Sequence, residues 1–223
     1  MAGGVTINGR DLSLYGAKML NFSVGGISYT DNYSMPPNGF FPVRYQGQES
    51  LRDLTITLDF VGTTWAGCET LASDFMAELA SGADIGLPDG YLYFCVLQKN
   101  AAPKRPSKYI TTHTIDLKAV RHGALETVTT TTTETILNAG NRPAPARVTV
   151  SGITETVTVF GVTITGLTGT VILDGLSKTV TQNGQNVFGN TNLVKFPLLD
   201  VGYNEITVPS GCTVKVEYYP LFA

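Results

Sequence analysis

One stretch of this 223-residue chain, Thr64 to Ser81, repeats its apolar residues at helical spacing, and almost everything else is written in the period of a strand. Cys68, Leu71, Ala72, Phe75, Met76 and Leu79 fall on a single stripe of a 3.6-residue helix. Thr63 or Thr64 can cap its start, Glu69 sits in an early turn, and Gly82 can close its end. The contrast restricts the chain to a mainly β (α+β) architecture in which one helix must find a sheet to cover.

The strands around that helix are legible. Leu54-Thr55-Ile56-Thr57-Leu58-Asp59-Phe60 alternates apolar and polar residues, as a half-buried strand does. Tyr91 to Leu97 is a continuous aromatic and aliphatic run, which predicts a strand buried on both faces. Tyr109–Val120 and Glu126–Leu137 read as two more strands joined at His122-Gly123-Ala124. The tract Thr127–Thr135 (TVTTTTTET) is low in complexity, and its β-branched residues suit a solvent-facing or edge strand.

Asn138 to Ala146 then collects Asn, Gly and Pro and reads as a linker, so the expected domains are 1–137 and 138–223. Beyond it, short runs recur at 147–150, 154–160, 162–164, 170–173, 178–181, 192–196, 204–208 and 213–219, separated by Gly, Asn and Asp. Such spacing predicts a β-sandwich or jelly roll. Asp174-Gly175 and Asn183-Gly184 are dipeptides favoured in tight hairpin turns.

Composition removes several functions. Charged residues make up 15% of the chain and hydrophobic residues 43%, which argues against disorder. The formal net charge of −3 is the opposite of the basic excess expected of a general nucleic-acid binder. A surface this poor in charge points to assembly with other subunits. The first residues lack a signal-peptide pattern, and no apolar run approaches the roughly 20 residues of a membrane span. Cys68, Cys95 and Cys212 have neither CxxC nor metal-ligand spacing, so buried, reduced thiols are expected in a protein made in the cytosol.

No catalytic constellation emerges. His113 lies in a Thr-rich run without an acidic neighbour, and His122 lies beside a glycine turn; a histidine base wants a nucleophile and an orienting carboxylate. Cys95 sits within an apolar strand, where a thiol is inert. Asp84 and Asp89 suit turn formation. Phosphate-loop and GxGxxG motifs are missing. Lys99, Lys104, Arg105 and Lys108 make one basic cluster in an extended, proline-containing loop without interleaved aromatics. Phe160, Phe188, Tyr203, Tyr218 and Tyr219 are the aromatic candidates for a sugar platform in the C-terminal part, with Tyr218 fitting a core alternation better. No catalytic, cofactor or metal residues are assigned.

Two regions together resemble the distal tail proteins (Dit) of siphophages infecting Gram-positive bacteria. The first is Gly39–Gly47 (GFFPVRYQG), followed by the strand Leu51–Gly62, the helix Trp65–Gly82 and Ile85–Tyr93 (IGLPDGYLY). The second runs from Asn141–Gly152 (NRPAPARVTVSG) through Val171–Gly175 (VILDG) and Phe196–Ile206 (FPLLDVGYNEI) to Val214–Pro220 (VKVEYYP). The resemblance implies a non-enzymatic protein of the virion tail tip, made in the host bacterial cytoplasm. It implies a homo-hexameric ring built by the N-terminal domain and an outward galectin-like C-terminal sandwich. The implied partners are the tail tube protein, a tail-tip or tail-associated lysin-type hub protein and a receptor-binding protein, with no cofactor, no specific nucleic acid and no membrane. The alternative is a carbohydrate-binding module that attaches the virion to cell-wall glycans. The segment Tyr29–Tyr45, aromatic-rich and punctuated by Pro and Gly, is the expected inter-subunit arm, with Tyr29, Tyr33, Phe40, Phe41, Arg44 and Tyr45 as its contact residues.

Overall fold

The computed structural model describes residues 5–27, 29–34, 43–49 and 51–223. The chain divides into two compact units, Met1–Arg121 and His122–Ala223.

The first unit contains β1 (Thr6–Ile7), β2 (Arg10–Asp11), β3 (Ala17–Val24), β4 (Tyr29–Ser34), β5 (Val43–Glu49), β6 (Arg52–Val61), α1 (Trp65–Ala80), β7 (Ala83–Gly86), β8 (Leu92–Asn100), β9 (Lys104–Ser107) and β10 (Ile110–His122), the last ending at the boundary. One sheet runs in the order β2-β1-β7-β8-β10-β6-β3, with β9 also paired to β10. β4 and β5 form a separate two-stranded ribbon.

The expected alternation of β6 holds: Leu54, Ile56, Leu58 and Phe60 are buried, and β10 matches them with Ile115, Leu117 and Ala119. Onto this face α1 lays Ala72, Phe75 and Leu79. Phe75 meets Phe60 and Tyr15 edge-on, each at 5.6 Å between ring centroids, a geometry that the aromatic quadrupole favours. Thr64 caps the helix, its Oγ1 accepting from the Gly67 amide at 3.1 Å. At the other end Gly82, at φ +88°, donates its amide to the Leu79 carbonyl; a Cβ there would strike the Phe94 ring.

The opposite face of β6 and β10 is polar and self-satisfied. Thr55 donates to Asp116 (2.8 Å), Thr112 to Asp59 (2.6 Å) and Lys118 to Asp53 (2.6 Å). This half-solvated face corrects one expectation. β8 is not buried on both sides, since Phe94 and Val96 are 48% and 39% exposed while Tyr93 and Cys95 are buried. A continuous apolar run cannot tell a doubly covered strand from an antiparallel strand with apolar residues on its open face.

The second unit comprises β11 (Glu126–Thr130), β12 (Glu134–Asn138), β13 (Ala144–Ile153), β14 (Val157–Val159), β15 (Val162–Ile164), β16 (Gly169–Asp174), β17 (Thr179–Gln182), β18 (Gln185–Asn186), β19 (Leu198–Leu199), β20 (Gly202–Ile206) and β21 (Thr213–Tyr218). Its large sheet has the order β11-β21-β13-β16-β17-β18, with β19 also on β13. The ribbons β12–β20 and β14–β15 bury Ile136, Ile206, Val157, Val159, Val162 and Ile164 in the same core as Val148, Val150, Val171, Leu173, Val214 and Val216. This is the expected mainly β class, with one α-helix in the first unit. Asn183-Gly184 makes the expected two-residue hairpin, with φ of +50° and +77°.

The division falls earlier than the 137/138 join expected from the sequence. The Thr-rich segment is two strands separated by a turn. β11 takes the edge position beside β21, placing Val128 opposite Val216, and β12 pairs with β20, placing Leu137 opposite Tyr203. The segment expected to be a linker is packed: the Asn138 amide, 1% exposed, donates to the carbonyls of Arg142 (3.0 Å), Leu199 (3.4 Å) and Asp200 (3.3 Å). Gly140 lies so close to the chain end that a Cβ would stand 2.4 Å from the Leu221 carbonyl oxygen.

Gly140→Ala is therefore expected to destabilise the protein by about 1–3 kcal/mol through overpacking, read as a lower urea midpoint. An unchanged midpoint would show that residues 138–141 are a free linker after all.

Candidate interaction surfaces

The groups able to do chemistry are dispersed and tied up. His113 points into the first core, 4% exposed, with Phe60 edge-on at 5.4 Å and its Nδ1 3.2–3.3 Å from the Asn100 side-chain amide. Its Nε2 has no hydrogen-bond partner among the described residues, and burial holds its pKa below the usual value. His122 lies in the other unit, its Nδ1 2.7 Å from the Gly123 carbonyl and its ring edge-on to Tyr219. Cys95 is buried and its thiol donates to the Tyr93 carbonyl; burial, with a contribution from the Asp84 charge, pushes its pKa to about 12, the reverse of an activated nucleophile. Cys68 and Cys212 are also buried and unbridged.

Asp84 is part of β7 rather than a turn. Asp89 does shape a turn, accepting from the Tyr91 amide (3.1 Å) and the Tyr93 phenol (2.5 Å). Among the described residues no three His, Cys, Asp or Glu side chains are grouped to hold a metal ion, and no helix is long and apolar enough to cross a membrane.

The basic cluster splits in the structure. Lys99 lines a shallow depression of about 440 Å³ together with Asp53, Thr55, Gln98 and Asp116. Lys104 and Arg105 instead lie in β9 and Lys108 in the turn that joins it to β10, so that the three share one short hairpin. Aromatic rings, absent from the surrounding sequence except for Tyr109, are brought there by the fold. The Arg105 guanidinium stacks on Trp65 at 3.8 Å, and the Lys108 ammonium lies 4.8 Å from the Tyr109 ring. Trp65 comes from the first turn of α1, far away in sequence, and only the folded position of that turn beside the hairpin could have revealed the stack.

Of the expected arm, Tyr29 and Tyr33 lie in β4, and Arg44 and Tyr45 in β5, with Tyr33 opposite Arg44 and Asn32 opposite Tyr45 in the ribbon. Phe40 and Phe41 lie outside the described residues. Among the C-terminal aromatics, Tyr218 is core, donating its phenol to the Leu137 carbonyl at 2.8 Å. Phe160 packs partly against the same core, at φ +50° in the β14–β15 hairpin. Phe188 is 44% exposed and Tyr203 79% exposed. Tyr203 stands in β20 opposite the half-exposed Leu137, just after the turn at Asp200, which Asn204 holds, its side chain accepting from the Asp200 amide and donating to the Asp200 and Gly202 carbonyls.

The two β-rich units thus present exposed aromatic and charged patches and keep their described histidines and thiols buried and apart. The sequence matches no protein-family model and no curated protein. Among solved structures the chain is similar to the Dit protein (gp 19.1) of SPP1, described as a paradigm of the hub adsorption apparatus in phages infecting Gram-positive hosts. The TM-score is 0.68 at 11% identity, covering 97% of this chain and 98% of that one. It is also similar to a chain of the phage P2 baseplate in its activated conformation, solved with Ca (TM-score 0.60) and with Sr (0.58), at 9% identity over 94% of this chain and 92% of that one. The chain thus has the Dit fold across both units.

The buried His113 gives a pH dependence of stability. Its folded pKa is depressed below the ordinary 6.5 by burial, against an opposing pull from the Glu69 charge. As pH falls through about 6.5 the unfolded chain takes up a proton that the folded chain refuses, so stability is complete above that pH and lost below it. The urea midpoint of the native protein should fall between pH 7.5 and 5.5, and His113→Gln should flatten that fall. An equal fall in both would contradict it.

Proposed function

We propose that this chain is a structural protein of a phage tail tip: a distal tail protein whose N-terminal unit closes into a hexameric ring between the tail tube and the tip or baseplate. The observation that carries this reading is the likeness to SPP1 Dit over nearly the whole of both chains, since it includes both units and their order. A cyclic ring is heterologous, each copy offering two different surfaces to its neighbours, and the low share of charged residues, 15%, suits a chain that covers much of its surface with partners. On this reading the tail tube protein and a tail-tip hub protein stack on the ring, and a receptor-binding protein is held by the second unit. The protein is made in the host cytoplasm and resides in the virion tail. The β4–β5 ribbon, with Tyr29, Tyr33, Arg44 and Tyr45 and the connecting Phe40 and Phe41, is the inter-subunit arm. The function is mechanical and needs no cofactor; the buried His113 and the raised Cys95 pKa support that view.

Native mass spectrometry of the full chain should show six copies, and Phe40→Ser with Phe41→Ser should reduce the hexamer at least tenfold at equal concentration. A strictly monomeric protein at all concentrations would overturn the ring. A hexamer unaffected by the double substitution would remove the arm alone.

One observation favours a second reading, carbohydrate attachment: the Tyr203 ring, 79% exposed at the start of β20 beside a hydrogen-bonded turn, presents the amphipathic face on which a sugar can stack. If it is correct, the full chain pulls down with purified Gram-positive cell walls and Tyr203→Ala abolishes the pull-down. Equal retention of both proteins, or of neither, would contradict it.

A further inference from the structure

The first unit is electrically polarised along its own strands. Between Asp89 and Asp116 the sequence has no acidic residue and four basic ones. Three of these, Lys104 and Arg105 in β9 and Lys108 at its turn, form the exposed β9–β10 hairpin end, outside the core and without an ion pair to a described carboxylate. The first turn of α1 adds to the same pole. That first turn carries no acidic residue, so the positive end of the helix dipole adds to the pole, while the nearest carboxylates, Glu69 one turn on and Asp59, are set back from it, Asp59 being held by the Thr112 hydroxyl. The tip also presents apolar surface: Trp65, Tyr109 and Val61 are 41%, 47% and 50% exposed. The stacks Arg105–Trp65 and Lys108–Tyr109 hold charge and ring together in advance of any contact, which is the composition of an interface centre.

The opposite end of the same sheet is acidic. β8 starts from the turn 87–91, whereas β9 ends at the cationic tip, so the two turns cap opposite ends. Asp89 is fixed in the first turn by the Tyr91 amide and the Tyr93 phenol. Asp11, opposite Thr6, which is itself opposite Gly86, brings a second exposed carboxylate to that end, its side chain anchored on the Ser13 amide at 2.8 Å. Glu78 and Asp84 lie nearby. The cations described at this end are engaged within the unit: Arg10 by Glu78 at 3.5 Å, Lys118 by Asp53 at 2.6 Å, Arg52 by the Gly25 carbonyl at 3.0 Å, and Arg121 over the Tyr91 ring at 4.4 Å.

We infer that the cationic, aromatic β9–β10 tip of one copy docks on the Asp11/Asp89 end of the N-terminal unit of the next copy. The inference rests on the ring reading and names the two faces of its seam. One face is positive, the other negative, and they lie at opposite ends of one rigid sheet, which is the requirement for head-to-tail rather than two-fold association. The charges set register and encounter rate, and Trp65 and Tyr109 supply the desolvated centre.

The test is a charge swap in the full chain, followed by sedimentation velocity and native mass spectrometry. One variant carries Lys104→Glu, Arg105→Glu and Lys108→Glu; the other carries Asp11→Lys and Asp89→Lys. Each alone should lose at least tenfold in assembly at 0.15 M NaCl, because like charges then meet. Their equimolar mixture should recover rings of strictly alternating composition and even copy number. Unmodified protein should assemble more weakly at 0.5 M than at 0.05 M NaCl, which keeps the inference testable if a variant misfolds. Unmodified protein that assembles while the basic-reversed variant assembles equally well, or whose assembly ignores salt, overturns this seam and leaves the ring standing. An unmodified protein that never assembles overturns the ring itself.

Discussion

The unbroken register between β6 and β10, from Ile110 opposite Val61 to Ala119 opposite Arg52, is the constraint on which the first unit depends. A slip of one residue would turn Leu54, Ile56, Leu58 and Phe60 outward and bring the Thr and Asp residues beneath α1. In the observed register every inward position receives α1 or its neighbours. The outward positions from Asp53 to Asp59 find polar cross-strand partners, as Thr55 does in Asp116 and Thr112 in Asp59, and only at the hairpin end does an apolar pair, Val61 and Ile110, face outward. The same pairing delivers the β9–β10 tip to the first turn of α1, with the Gly62 amide donating to the Tyr109 carbonyl at 3.1 Å. The stack of Arg105 on Trp65 is thus a consequence of the register.

The second unit depends on its last strand. β21 lies between β11 and β13, so Val216 touches Val128 on one side and Val148 on the other. Three segments far apart in the chain become neighbours, and the core closes only when the C-terminal residues arrive. The packing of Gly140 against Leu221 and the bond from the Ala223 amide to the Asn141 side chain add to the same closure.

Much of this was legible in the sequence, where local pattern decides the outcome. The stripe Cys68, Ala72, Phe75, Leu79 and the alternation of β6 appear where periodicity puts them, and Val162–Ile164 is a strand with those very bounds. Pairing was less legible. The threonine tract reads as strand, but nothing local says that its partners are β21 and β20, so residues 122–137 were expected on the wrong side of the division. The open face of β8 was hidden because Phe94 and Val96 are as apolar as their buried neighbours. The aromatic partner of the basic cluster was hidden because Trp65 reaches Arg105 through the fold.

On the proposed reading the chain works by meeting copies of itself, with both units of the Dit fold serving as surfaces. Electron microscopy of the purified full-length protein tests that claim most directly. The account predicts end-on views of closed rings with six-fold symmetry and a central opening. Isolated particles of single-chain size, or open filaments that never close, would contradict it.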